Sequence, residues 1–164
     1  GAQIEAEWRA MTDVHEFFIL LKRHQLTRQQ AFRLVSDDLA CKVDNTALAQ
    51  ILDLAKADQN EIMIFVSNRG CVQIFTGEVR KLMPMENWIN IFNPEFTLHL
   101  MSDTIAESWV TRKYTKDGYV TSLELFAADG TQIAQVYGQR TEGEPEQQQW
   151  RTQIDAIQSK GLTA

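Results

Sequence analysis

His15 stands in the first turn of what the pattern predicts to be an amphipathic helix, within the run Thr12-Asp13-Val14-His15-Glu16-Phe17-Phe18. The positive end of a helix dipole disfavours imidazolium, so a histidine placed there tends to stay neutral and keeps a lone pair for a metal or a metallated cofactor. The competing reading is an exposed helix-start histidine, or a member of a local hydrogen-bond network. Other side chains bear on that choice. Arg28 opens a second predicted helix with a planar guanidinium suited to a carboxylate. Strand alternation over residues 131–139 puts Ile133, Gln135 and Tyr137 on one face, with Ala134 and Val136 on the other. In the preceding run, Trp109, Thr111 and Lys113 share a face opposite Val110, Arg112 and Tyr114. Arg28, Lys113, Gln135 and Tyr137 together form a donor set for carboxylates that an acidic protein would otherwise repel. For any one of them alone, the alternative is a solvated sheet face.

The elements that must position these residues follow from a single change of hydrophobic period. Val14, Phe17, Phe18 and Leu21 recur at helical spacing over residues 13–24, opened by an expected Asp13-x-x-Glu16 capping box. Thr27 can cap a second helix, Arg28 to Val35; Asn45 or Thr46 can cap a third, with Leu48, Ile51, Leu52 and Ala55 as its buried stripe. From Glu61 onward the signals are short β runs: Ile62 to Ser67, a turn at Asn68-Arg69-Gly70, and Cys71 to Thr76 as a hairpin. Further runs follow at Trp88 to Phe92, Phe96 to Met101, Ala106 to Thr115, Tyr119 to Ala127 and Thr131 to Gln139. Lys116-Asp117-Gly118 and Ala128-Asp129-Gly130 join the later runs as a meander. Pro145 is placed to open a last helix, running to about Ile157. The fold class expected is α+β, a largely antiparallel sheet meander preceded by about three helices and closed by a C-terminal helix.

Composition narrows the function classes. With 164 residues, 44% of them apolar and 23% charged, one domain over residues 1–164 is expected. A net charge of −6 argues against generic attraction to nucleic acid or anionic lipid. The longest apolar stretches, Phe17 to Leu21 and Ile62 to Val66, are too short to cross a bilayer, so no membrane insertion is expected. Cys41 and Cys71 lack metal-site spacing and suit a reducing cytoplasm; both are expected to be small buried residues. Trp8, Trp88 and Trp109 are expected in the core or at an interface. The chain opens on Gly1-Ala2 without a Met, as an excised segment would. No Gly-rich phosphate loop, paired-histidine zinc motif or nucleophile elbow is present.

Several segments in order carry a family resemblance. Asp13-Val14-His15 with Phe17-Phe18, Leu26 to Ala31, Gly70 to Gly77, Phe96 to Leu100, Val120 to Phe126 and Gln132 to Gly138 resemble the HemS/ChuS/HmuS family of cytoplasmic haem-utilisation proteins, over about residues 8–155. Members of that family are tandem duplications, and this chain resembles the C-terminal half alone. The resemblance implies that His15 is the axial ligand to haem iron. It also implies that Arg28, Lys113, Gln135 and Tyr137 lie in the haem pocket, contacting propionates or lining the distal side. The family's distal arginine comes from the other half and has no counterpart here.

A haem site of this kind is physically coherent. An apolar disc with two carboxylates at one edge needs hydrophobic walls, a donor-rich rim and an axial base. Phe17 and Phe18 can supply walls, Arg28 and Lys113 the rim, and His15 the base. The other imidazole nitrogen then needs a hydrogen-bond acceptor to fix the ring. His24 reads as a cap or surface residue, and His99 as a satisfied sheet histidine or a second ligand. The expected function is haem binding and trafficking in bacterial iron acquisition, with haem degradation implied for complete relatives. The alternative is a structural half-domain that pairs with the N-terminal half-domain or with a second copy as a homodimer.

Overall fold

An antiparallel sheet whose two faces are covered by different helices organises the chain. The computed structural model describes residues 1–67, 70–85 and 87–161. Its helices are Ala2–Arg9 (α1), His15–His24 (α2), Arg28–Phe32 (α3), Ala47–Ala57 (α4) and Gln148–Gly161 (α5). Its strands are Ala40–Val43 (β1), Glu61–Ser67 (β2), Val72–Glu78 (β3), Leu82–Met85 (β4), Trp88–Asn93 (β5), Phe96–Met101 (β6), Glu107–Thr115 (β7), Gly118–Phe126 (β8) and Gln132–Gly138 (β9). Six strands form one sheet in the order β1-β7-β8-β9-β2-β3, and β4-β5-β6 form a second. All the pairings are antiparallel. The α+β class expected from the sequence is the class observed.

Alternation decides which core each strand residue enters. Val110, Leu123, Leu125, Ala134, Val136, Ile62 and Ile64 point to the face covered by α4, α5 and the inner side of the small sheet. On the opposite face, Trp109 and Phe126 pack against Trp8 of α1, Phe17, Leu20 and Leu21 of α2, and Phe32 of α3. Trp8 and Phe17 meet edge to face at 4.6 Å. The Trp8 indole N–H donates to the carbonyl of Arg112 at 2.7 Å, so its polar end is satisfied. These helices cover only one end of that second face, leaving the part over β8, β9 and β2 as the wall of a cavity.

Directly opposed residues of an antiparallel pair share a face. Lys113 opposes Val120, Ser122 opposes Tyr137, and Glu124 opposes both Trp109 and Gln135. Met63 and Phe65 continue the same rows beyond Tyr137 and Gln135. The alternation read from the sequence for residues 109–114 and 133–137 is therefore the one observed.

Several local expectations are corrected. The helix begins at His15 with Val14 as its N-cap and no side-chain cap bond, so the Asp13-x-x-Glu16 box does not form. Glu16 instead closes on Thr12, accepting from its N–H at 3.3 Å and its hydroxyl at 3.0 Å. Helix α3 stops at Phe32, although its Thr27 cap forms a full capping box with Gln30. Helix α5 starts at Gln148 instead of at Pro145, because Glu146 is held inward by the Thr121 N–H at 2.6 Å and the Arg151 guanidinium at 3.0 Å. It also runs on to Gly161. Cys71 is exposed and Cys41 half-buried, since both sit on edge strands or beside them. Trp8 and Trp109 are core residues, whereas Trp88 is 42% exposed on the outer side of the small sheet. Helix α1 and strands β1 and β4 lie outside the elements expected from the hydrophobic pattern. The turn expected at Asn68-Arg69-Gly70 lies, for Asn68 and Arg69, outside the described residues.

Gly138 ends β9 where the Trp150 ring presses on the sheet. A Cβ there would lie 2.7 Å from Cγ of Trp150, and the indole N–H is tied to the Thr121 carbonyl at 2.9 Å. Gly138→Ala is expected to cost about 1–3 kcal/mol by overpacking and to lower the urea midpoint. An unchanged midpoint would show that the indole can move aside freely.

Candidate functional site

The start of α2 faces the uncovered part of the sheet across a cavity of about 390 Å³. Its lining includes all five residues singled out in the sequence, namely His15, Arg28, Lys113, Gln135 and Tyr137. That volume lies within the range of about 300–1,000 Å³ typical of small-molecule sites. Apolar walls come from Val14, Phe18, Met63, Phe65 and Val120. Phe18 is 67% exposed, whereas Phe17, also expected as a wall, is buried in the aromatic core. Its ring lies instead beneath the cations, 4.9 Å from Nζ of Lys113 and 5.2 Å from Cζ of Arg28.

The His15 side chain is 91% exposed, and its Nδ1 lies 2.8 Å from Oδ1 of Asp13. The same oxygen accepts the His15 backbone N–H at 2.8 Å. A carboxylate can only accept, so Nδ1 carries the proton and, in the neutral ring, Nε2 carries the lone pair. Among the described residues Nε2 has no hydrogen-bond partner. The segment before the helix is pinned to the sheet, because the carbonyl of Thr12 accepts the Lys116 N–H at 3.0 Å. Hydrogen bonds from the His15 backbone and ring hold the Asp13 carboxyl below its ordinary range. The two readings of His15 are thus not exclusive, since the ring belongs to a local network and still presents one nitrogen.

Across the cavity the donor set is built around a residue that the sequence reading missed. Glu124 has no exposed side-chain surface, and its Oε2 accepts from Nζ of Lys113 at 2.9 Å, Oγ1 of Thr111 at 2.9 Å and Oγ of Ser122 at 3.2 Å. Its Oε1 accepts from Arg28 at 3.1 Å and from Nε2 of Gln132 at 2.8 Å. Gln135 donates to Gln132 at 2.8 Å, and the Tyr137 hydroxyl donates to Gln135 at 3.0 Å. A buried carboxylate with two cations leaves the cluster one net positive charge facing the cavity. The signal for Glu124 was its alternation partner set: within β8 it falls on the same face as Val120 and Ser122.

The electrostatics follow from this packing. Burial alone would raise the Glu124 carboxyl; the Lys113 ammonium and Arg28 guanidinium outweigh it and bring the pKa down to about 2. Burial pulls the Lys113 ammonium below its usual value, with Glu124 opposing. Burial and the Glu124 charge push the Tyr137 phenol up, so it remains a proton donor at neutral pH. Arg140 also lines the cavity and pairs with Asp117 at 3.3 Å; its strand-end position was not read as a site.

The remaining histidines lie elsewhere. His24 joins α2 to α1 through Glu7 at 2.9 Å, consistent with a surface role. His99 bonds Asn90 at 2.6 Å on the outer face of the small sheet, beside Met85, Trp88 and Phe92, so it is not brought into the cavity. The residues present suit a porphyrin with acid groups: an open imidazole nitrogen, apolar walls and a net-positive donor cluster.

The comparisons with known proteins agree on the fold and its relatives. Residues 25–157 match the family described as the haemin-degrading HemS/ChuX domain. The chain is 68% identical over 161 residues to the hemin transport protein HemS of Yersinia enterocolitica, covering 98% of this chain and 47% of that protein. The heme degrading enzyme ChuS of Escherichia coli O157:H7 superposes with a TM-score of 0.93 at 74% identity, over 95% of this chain and 47% of that one. Holo-PhuS, a heme-binding protein from Pseudomonas aeruginosa, gives 0.93 at 42% identity, over 95% of this chain and 45% of that one. The chain therefore spans about half the length of these relatives.

Removing the Glu124 charge strands a buried cation. Glu124→Gln is expected to cost about 3–5 kcal/mol of unfolding free energy. Because the folded pKa of Glu124 falls from 4.5 to about 2, its contribution is complete above pH 4.5 and is lost as pH drops toward 2. Urea unfolding across that window is expected to show the wild type converging on Glu124→Gln as the solution is acidified. A constant gap would contradict the ion-pair assignment.

Proposed function

We propose a haem-binding role for this chain, which belongs to the family of haemin-degrading HemS/ChuX domains. Residues 1–164 act as one haem-binding domain that receives haem in the cytoplasm during bacterial iron acquisition and holds it or passes it on. The observation that carries this reading is the exposed His15 ring, tethered at Nδ1 and open at Nε2, facing a donor cluster across an apolar-walled cavity. His15 would hold the haem iron through Nε2. Arg28 and Lys113 would attract the propionates by the net positive charge that remains after Glu124 is paired, and Gln135 and Tyr137, joined to each other by a hydrogen bond, would present a polar edge to the macrocycle. Val14, Phe18, Met63 and Phe65 line the cavity and would keep water from a bound porphyrin.

Haem supplies the Lewis-acidic iron that the imidazole meets, together with the redox chemistry that this chain's side chains lack. The family description and the ChuS relative support a contribution to haem degradation when a second half completes the distal side. Arg140 and the protonated Tyr137 also line the cavity and are the further polar groups that such a second half would meet.

A second reading is favoured by a specific feature, the outer face of the small sheet. Met83, Met85, Trp88 and Met101 are each at least 40% exposed there. In this reading the chain is chiefly a half-domain that pairs with an N-terminal half or with a second copy. Light scattering separates the two: a dimer that forms without haem and never takes up stoichiometric hemin supports the pairing module.

For the leading reading, hemin titration of wild type and His15→Ala is decisive. The variant is expected to lose the histidine-ligated Soret and visible bands and to bind at least about tenfold more weakly, or about 1.4 kcal/mol. Equal binding with unchanged spectra would show that His15 is not the axial ligand. Formation of a biliverdin-like product with catalase present, given an electron donor, would add turnover to binding.

A further inference from the structure

Among the described residues Asp13 is the one whose side chain bonds the His15 imidazole, and neither the family match nor the names of the relatives assign it a role. Its Oδ1 lies 2.8 Å from Nδ1 of His15 and 2.8 Å from the His15 backbone nitrogen, so a single oxygen fixes both the ring and the first N–H of α2. Thr12 is tied twice, to Glu16 through its N–H and hydroxyl and to the sheet through its carbonyl, which accepts the Lys116 N–H, so the Asp13 carboxylate has a braced platform from which to orient the ring.

From this geometry we infer that Asp13 is a positioning residue: its carboxylate holds Nδ1–H of His15, selects Nε2 as the nitrogen offered to the cavity, and makes that nitrogen a stronger donor to bound iron. The inference deepens the proposed function and rests on His15 as the axial base. Outer-shell carboxylates on ligating histidines fix the tautomer and raise ligand basicity, and their loss typically weakens metal binding about 10–100-fold. A stronger donor favours ferric over ferrous iron. Asp13 therefore biases the site toward holding oxidised haem. Lys116 of the β7–β8 turn, whose backbone N–H bonds the Thr12 carbonyl and whose charge favours the Asp13 carboxylate, and Glu16, which accepts from Thr12, are the other charged groups of this platform, leaving the Nδ1 bond to Asp13.

The test compares wild type, Asp13→Asn and Asp13→Ala loaded with hemin. Asn keeps an acceptor oxygen for both the ring and the helix N–H while removing the charge; Ala removes both. Ferrous resonance Raman spectra are expected to show the iron–histidine stretch falling from wild type through Asp13→Asn to Asp13→Ala. The midpoint potential is expected to rise, with a tenfold loss of ferric over ferrous preference read as about 59 mV for a one-electron couple. A shift confined to Asp13→Ala still supports positioning by the hydrogen bond. If both variants keep the wild-type stretch and potential, Asp13 has no such role. His15→Ala run in parallel keeps the two ideas apart: loss of the histidine signal there, with Asp13 variants unchanged, overturns only the role of Asp13, whereas an unchanged His15→Ala spectrum overturns the axial assignment itself.

Discussion

A carboxylate with no exposed surface must be paired completely, and that constraint on Glu124 shapes the site. Lys113, Arg28, Thr111, Ser122 and Gln132 converge on it from four separate segments of chain. Each donor loses a degree of freedom in doing so. Gln132 in turn holds Gln135, which holds Tyr137. The row of polar groups facing the cavity is therefore set from beneath, by a charge that no ligand need touch.

The opposite wall depends on packing. Helix α2 is seated by Phe17, Leu20 and Leu21 in an aromatic core with Trp8 and Phe32, so the position of its first residue is decided by burial well away from the cavity. Phe17 links the two walls, because its ring lies under both Lys113 and Arg28. A helix start fixed by apolar contacts and a cation pair fixed by a buried anion thus meet across one aromatic ring. The gap between them is what remains of a sheet face that α1 to α3 do not cover.

Much of this was legible in the sequence, because period two is a local signal. Alternation grouped Gln135 with Tyr137 and Lys113 with Thr111 correctly, and strand Phe96–Met101 was bounded as observed. Glu124 escaped notice because all its partners but Ser122 lie on other elements, α3, β7 and β9, and register across strands cannot be read from one run. The capping box at Asp13 failed for a related reason, since two carboxylates within one turn can close on different donors, and here Glu16 takes Thr12 while Asp13 takes His15. Helix α5 started late because Glu146 is drawn to a strand distant in sequence. The short strands β1 and β4 owe their form to a neighbour and not to their own pattern.

The central claim is that the open nitrogen of His15 and the cluster over Glu124 act on the same ligand from opposite sides. A crystal structure of the chain with hemin bound tests it most directly. The account predicts iron bonded to Nε2 of His15, Nδ1 still on Asp13, and the propionates directed to Arg28 and Lys113. Iron bound at His99 on the outer sheet face, or hemin seated away from this cavity, would contradict it.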